Sequence, residues 1–80
     1  MAQLNDLLVL GNSNLIGETT IYGRLTLANT EEASLSSSTA AFRIGDINGT
    51  HLAVDGNEIN AKSSSSASGT LYLNNEGGTV

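Results

Sequence analysis

The sequence predicts an all-β fold: an intertwined or stacked homotrimeric β-repeat shaft followed by a small antiparallel β-meander module. Glycine recurs every six residues in the first third of the chain, short apolar runs alternate with polar residues in the second half, and helix signals are nearly absent. The 80 residues include no cysteine and only 4% aromatic residues, so a lone chain has little with which to build a core. Because such small chains usually need disulfides, metals or oligomerisation, three copies sharing a core are expected.

The predicted shaft occupies residues 1–33. Gly11, Gly17 and Gly23 are six residues apart, each follows two bulky apolar residues, and Asn29 takes the glycine place in a fourth unit. Each unit holds one short strand and one bend and cannot cover its own apolar edge, so it must stack on neighbours or on other chains. The first inter-chain core is predicted to consist of Leu10, Leu15, Ile16, Ile21, Leu25 and Leu27.

A serine-rich linker or loop is predicted at residues 34–40. A single helical turn could precede and overlap it over residues 28–35. Thr30 could cap that turn, with Glu31 and Glu32 favourably placed near its positive end. Such a turn would be too short to stand alone.

The predicted meander occupies residues 41–80, with strands at 41–47, 51–54, 57–61 and 70–73. Each strand has one apolar stripe of two or three residues, and thin sheets of this kind usually pack against copies of themselves. The second inter-chain core is predicted to consist of Phe42, Ile44, Leu52, Val54, Ile59, Leu71 and Leu73.

Two tight turns and one loop are expected to connect these strands. Asn48-Gly49 is the strongest two-residue hairpin signal, because a type I′ turn needs positive φ at both positions. Asp55-Gly56 predicts a second tight turn, and the serine-rich residues 63–68 predict a loop.

The charge balance excludes some partners. The net charge is -5, and the basic residues are Arg24, Arg43 and Lys62, which argues against nucleic acid as a partner. No apolar run approaches the ~20 residues of a membrane-spanning helix, so no membrane partner is expected. The first residues lack the cationic start and apolar core of a signal peptide, which favours synthesis and assembly in a cytoplasm.

We expect no catalytic residue, no cofactor and no metal site, and therefore not an enzyme. The remote alternative is a fragment of a hexapeptide-repeat acyltransferase, whose left-handed β-helix also repeats every six residues. The repeat here covers only about one coil, and the single histidine, His51, lies outside it. Asp55 and Glu58 could form a carboxylate pair, but Asp55 already has a role in a turn and nothing marks either group as perturbed.

His51 has two interpretations. Beside a hairpin turn it is an ordinary solvent-facing or hydrogen-bonded residue. In a trimer it could approach its two copies, and three imidazoles on an axis can bind a metal. The alternation favours the first, since it places His51 with Ala53, opposite the apolar side chains of Leu52 and Val54.

Five segments are the most distinctive: residues 1–11 (MAQLNDLLVLG), 42–45 (FRIG), 51–61 (HLAVDGNEINA), 69–74 (GTLYLN) and 77–80 (GGTV). They resemble the tail fibre-like and minor structural proteins of phages and prophages of gut Firmicutes. In that family the module lies along fibre shafts, often ahead of a receptor-binding or self-cleaving chaperone domain.

The resemblance implies a homotrimeric β-structured fibre of a virion tail, assembled in the host cytoplasm. The expected function is structural: a trimeric β-rod that links the tail or baseplate to a receptor-binding tip. Expected partners are copies of the chain, other tail or baseplate proteins, and a host surface receptor or glycan. The chain ends where such proteins normally continue, so it is expected to be a fragment or a short adaptor.

Two other functions stay open. A carbohydrate- or receptor-binding module would need an exposed aromatic platform, for which Tyr22 and Tyr72 are the candidates. A small virion decoration protein would use the same trimer but be complete at Val80.

Overall fold

Four strands and no helix make up the regular structure of this computed structural model, which describes residues 6–80. The strands are β1 (Phe42–Gly45), β2 (His51–Val54), β3 (Ile59–Ser64) and β4 (Ala67–Ser68). They form one antiparallel sheet in the order β1-β2-β3-β4. The predicted all-β class is confirmed. Residues 1–5 of the predicted shaft lie outside the described residues.

The strand register separates the sheet into an apolar and a polar face, because successive side chains of a strand point to opposite sides. The apolar face consists of two cross-strand rows, Phe42–Val54–Ile59 and Ile44–Leu52–Ala61. The polar face consists of the rows Arg43–Ala53–Asn60 and Gly45–His51–Lys62.

Burial is greater on the polar face than on the apolar one. On β2, His51 and Ala53 are only 5% and 2% exposed, whereas the alternating Leu52 and Val54 are half-buried. At the edge of the apolar face, Ile44 is 57% exposed. A single chain therefore covers the face that water could have solvated and leaves the apolar face open.

A closed loop, residues 32–39, lies over the polar face and is called the serine loop below. Its ends meet where the Thr39 hydroxyl donates to the Glu32 carbonyl at 2.8 Å and Ser34 N donates to the Thr39 carbonyl at 3.3 Å. The helical turn suggested for residues 28–35 does not form. The backbone groups of Ala33 bond instead to side chains of the sheet and its turns.

The connection from β1 to β2 differs from the predicted two-residue turn. Residues 46–50 form the loop, in which Gly49 N donates to the Asp46 carbonyl at 3.0 Å and Asn48 N donates to Asp46 Oδ1 at 2.9 Å. The positive φ lies at Gly45 (109°) and not at Asn48 or Gly49, so the type I′ prediction is wrong. The Asp46 side chain sets the turn by bonding the backbone two residues ahead.

Residues 55–58 connect β2 to β3. Asp55 N donates to the Glu58 carbonyl at 3.1 Å, and Glu58 N donates to Asp55 Oδ1 at 3.0 Å. These bonds close a tight hairpin connection with Gly56 and Asn57 in the middle. The turn lies where Asp55-Gly56 predicted one, but Asp55 is its first residue.

Two predictions near the end of the meander are wrong. Residues 63–68 were expected as a loop, but 63–64 complete β3, 65–66 form a turn and 67–68 form β4. Ser63 Oγ donates to the Ser68 carbonyl at 3.0 Å across this hairpin. Residues 70–73, expected as a strand, form none. The chain leaves the sheet at Gly69, where a Cβ would lie only 3.0 Å from the carbonyl carbon of Lys62.

Residues 6–41 contain no strand in the single chain, although the backbone bends at Gly11, Gly17 and Gly23. Gly17 has a φ of 99°. A repeat shaft takes its strand partners from other copies, so the shaft and the trimer stay predictions.

We expect Gly45→Ala to lower the free energy of unfolding by about 1–3 kcal/mol, the usual range for a residue forced into a sparsely populated backbone region. A Cβ there would lie 2.7 Å from the Thr50 carbonyl oxygen at a φ of 109°. Gly56→Ala is the control, because its Cβ would meet no atom within 4 Å. Urea unfolding at equal chain concentration measures both, and an equal loss in the two variants would contradict this account of Gly45.

Candidate functional site

Lys62 is the centre of the contacts on the polar face. Its side chain is 1% exposed, and Nζ donates to the carbonyls of Ser34 at 2.7 Å, Ser37 at 2.5 Å and Ser65 at 2.8 Å. An ammonium group has three donors and no acceptor, so its hydrogen-bonding capacity is filled. Lys62 thereby joins the serine loop to the turn of the β3–β4 hairpin.

The partners of this ammonium are neutral carbonyls. Taking an ammonium out of water costs several kcal/mol, and the cost is offset only by good hydrogen-bond geometry. Bonds from an ionised donor are roughly twice as strong as neutral ones. Three carbonyl dipoles directed at one nitrogen supply that compensation, which explains how Lys62 can be buried.

Three more side chains contact the backbone of the serine loop. Asp55 Oδ2 accepts from Ala33 N at 2.9 Å, and Asn60 Nδ2 donates to the Ala33 carbonyl at 2.6 Å. Arg43 Nη2 donates to the Ser38 carbonyl at 2.6 Å. The four side chains that hold the loop are called the loop clamp below: Arg43, Asp55, Asn60 and Lys62.

The pKa of Asp55 lies below its ordinary value of 3.8. The largest cause is the hydrogen bond from Ala33 N, followed by that from Asn57 N, and the bond from Glu58 N adds to them. Partial desolvation opposes these bonds without cancelling them. Nothing in the sequence marked Asp55 as perturbed, because the bond from Ala33 joins residues 22 positions apart.

A cluster of carboxylates surrounds Asp55. One oxygen each of Glu32, Asp55 and Glu58 lies within 4.8 Å of the others, and oxygen ligands suit a hard cation such as Ca²⁺. Both oxygens of Asp55 already accept backbone N–H groups, and Glu32 is exposed. The turn and the Ala33 contact account for this geometry, and we assign no metal to it.

His51 lies on the polar face with Ala53, as the alternation predicts. Its ring Nδ1 is 2.9 Å from the Gly49 carbonyl. The ring is therefore engaged with the loop that precedes its own strand.

The two predicted inter-chain cores differ in how far one chain assembles them. In the shaft, exposure ranges from 50% for Leu27 to 99% for Ile16, and Leu10, Leu15, Ile21 and Leu25 lie between. In the meander, five predicted core residues share the apolar face: Phe42, Ile44, Leu52, Val54 and Ile59. Leu71 and Leu73 lie outside the sheet and are 43% and 66% exposed.

The loop clamp was not predicted from the sequence. Lys62 is the single lysine of the chain. It directly precedes the serine-rich residues 63–68, and its ammonium also contacts the serine loop. A lone cation on the polar side of a strand, between segments rich in free carbonyls, is the signal that could have indicated it.

Comparison with protein-family models, with curated protein sequences and with solved structures found no match for this chain. Residues 6–80 enclose no pocket. In the same residues, no helix has the length and apolarity needed to cross a membrane.

We expect Lys62→Met to lower the free energy of unfolding by about 2–4 kcal/mol, because it keeps the unbranched side chain but leaves three carbonyls without their donor. Arg24→Met is the matched control: it removes the same charge from an exposed residue and should change stability by less than ~0.5 kcal/mol. Urea unfolding measures both variants.

Hydrogen exchange at Ser34, whose amide donates to the Thr39 carbonyl, should also become faster in Lys62→Met. An unchanged Ser34 amide would argue against the clamp.

Acid stability should depend on Asp55. The pKa of the Asp55 carboxyl is lower in the folded chain than in the unfolded chain, so its ionised form stabilises the fold. This contribution is fully present at a pH above the unfolded-state pKa, and it is lost as the pH falls through the folded-state pKa. Asp55→Asn should therefore be less stable at neutral pH and lose less stability than the wild type as pH falls below 3.8. Glu18→Gln, at an exposed position, is the charge-matched control. Circular dichroism during acid titration follows both, and parallel curves for wild type and Asp55→Asn would contradict the expected linkage.

Proposed function

We propose that this chain is a structural module that works as a homotrimer, forming a β-rod from three shafts and three meanders. The observation that supports this most is the amount of surface that a single chain leaves open. Its accessible surface is 7066 Å², whereas the size-scaling rule gives about 4,500 Å² for a compact monomer of this mass.

The excess of about 2,500 Å² is of the size found in obligate interfaces, which bury roughly 2,000–5,000 Å² in total. The extended form of the chain agrees with this. The Cα radius of gyration is 15.7 Å, against about 11.6 Å for a compact domain of this length. A second chain or several chains must cover such a surface if the protein is to be stable in water.

The open surface includes large apolar side chains in both parts of the chain. In the shaft, Leu10 is 90% and Ile16 is 99% exposed, and the sheet adds its apolar face. Contiguous apolar patches of more than a few hundred Å² mark interaction sites. Copies of the chain are the simplest partners for this surface, because three identical apolar stripes can bury one another and no other protein is needed to cover them.

The role of such an assembly is mechanical. Three chains that share one core form a rod in which no chain can unfold without exposing the apolar residues of the other two. The proposed rod connects other parts of an assembly, and the chain needs no catalytic residue for this.

The assignment to a phage tail fibre rests on the resemblance of residues 1–11, 42–45, 51–61, 69–74 and 77–80 to the tail fibre-like and minor structural proteins. In this proposal the rod links the tail or baseplate to a receptor-binding tip and forms part of the virion. Its partners are its own copies, neighbouring tail proteins and, through the tip, a receptor or glycan on the host.

Light scattering after size exclusion, over a dilution series, tests the assembly. We expect a mass close to three times 8.2 kDa that persists on dilution. Ile16→Asp should shift the mass towards one chain, because it puts a charge into the shared core. Ser13→Asp, at an exposed polar position of the same segment, should leave the trimer intact. A folded wild-type monomer, or a trimer indifferent to Ile16→Asp, would contradict the proposal.

A further inference from the structure

We infer that the meander packs in the trimer with its apolar face towards the other two copies and with the polar face and the serine loop turned outward. This inference rests on the proposed homotrimer and deepens it, because it names the surface through which the meanders meet. It concerns the apolar face as defined above, of which Phe42, Ile44 and Ile59 are 41–57% exposed.

The polar face is already occupied by the chain itself. The four side chains of the loop clamp make six hydrogen bonds to the backbone of residues 33–38 and to Ser65, each 2.5–2.9 Å long. Turning this face towards another copy would require the serine loop to leave and the buried Lys62 ammonium to lose its partners. The apolar face has no such cover.

Charge also selects the apolar face. The chain has a net charge of -5, so a threefold contact between like-charged groups would be repulsive. The charged side chains of the meander lie on the polar face or in the turns, as Arg43, Asp46, Asp55, Glu58 and Lys62 do. All six residues of the apolar face are uncharged, so three copies meet there without repulsion.

Copies of the chain, and not a different protein, are the occupants that the connectivity favours. Residues 34–41 join the predicted shaft directly to β1. Once three shafts associate, this short tether holds three apolar faces at an effective concentration of the order of millimolar. A different protein would have to compete with these tethered copies for the apolar face. Because the apolar face is uncharged, it offers such a protein no electrostatic attraction.

The orientation decides between the two interpretations of His51. The histidine shares the polar face with Lys62, and its Nδ1 faces the Gly49 carbonyl. With the apolar face inward, the three copies of His51 point away from the axis. They therefore do not form an axial metal site.

Disulfide trapping tests the orientation, because the chain has no cysteine of its own and each variant contains a single thiol. Ala61→Cys places a small thiol on the apolar face, and Ile44→Cys is a second variant there. Ser38→Cys, exposed in the serine loop, is the control for the outward side. Under a mild oxidant at low protein concentration, both apolar-face variants should give cross-linked pairs of chains, and Ser38→Cys should remain single on a non-reducing gel.

The outcomes separate the two proposals. A monomeric wild type in light scattering overturns the homotrimer and the orientation with it. A trimeric wild type in which Ser38→Cys cross-links, or in which neither apolar-face variant does, overturns the orientation alone. Zinc gives an independent check, since His51 pointing outward predicts no change in Tm with zinc concentration, and a concentration-dependent rise that His51→Ala abolishes would also overturn the orientation.

Discussion

The rest of this structure depends on the contact between the buried Lys62 ammonium and three backbone carbonyls. An ammonium held by dipoles alone is stable only where all three of its donors are matched, so the loop and the hairpin turn must both be in place for Lys62 to be buried. The contact links segments 25 and 28 residues apart along the chain. It fixes the end of the sheet and the position of the serine loop together, and so determines which face of the sheet remains open.

The result is a sheet whose burial is the reverse of the usual one. An antiparallel sheet with one covered face normally buries its apolar side chains and exposes the polar ones to water. Here His51 and Ala53 are covered, while Ile44 and Ile59 are more than half exposed. Within one chain, hydrogen bonds to a loop hold the covered face, and burial of apolar surface contributes little. In the proposed trimer, the hydrophobic contribution to stability therefore comes from assembly.

The sequence predicted the parts of the fold that depend on neighbouring residues and missed those that depend on distant ones. Period-two alternation located β1, β2 and the start of β3, because that pattern follows directly from strand geometry. The hairpin over residues 63–68 was missed because serine gives no strand signal, and its pairing depends on cross-strand bonds and on Gly69. The alternation at residues 70–73 indicated a strand, but these residues pair with neither edge of the described sheet. The lone Lys62 was a local signal, but its partner Ser34 lies 28 residues away, and no local pattern could identify that partner.

The loop clamp contacts backbone atoms of the serine loop, and every amino acid has those atoms. The fold therefore places little demand on the other side chains of the loop, provided that its path is kept, that Ala33, 1% exposed, stays small, and that Thr39 keeps the hydroxyl that closes the loop. Exposed positions such as Ser36 and Ser38 can accumulate substitutions at little cost to the sheet. In a lineage under pressure to change its outer surface, these exposed side chains can vary while the clamped backbone path is kept.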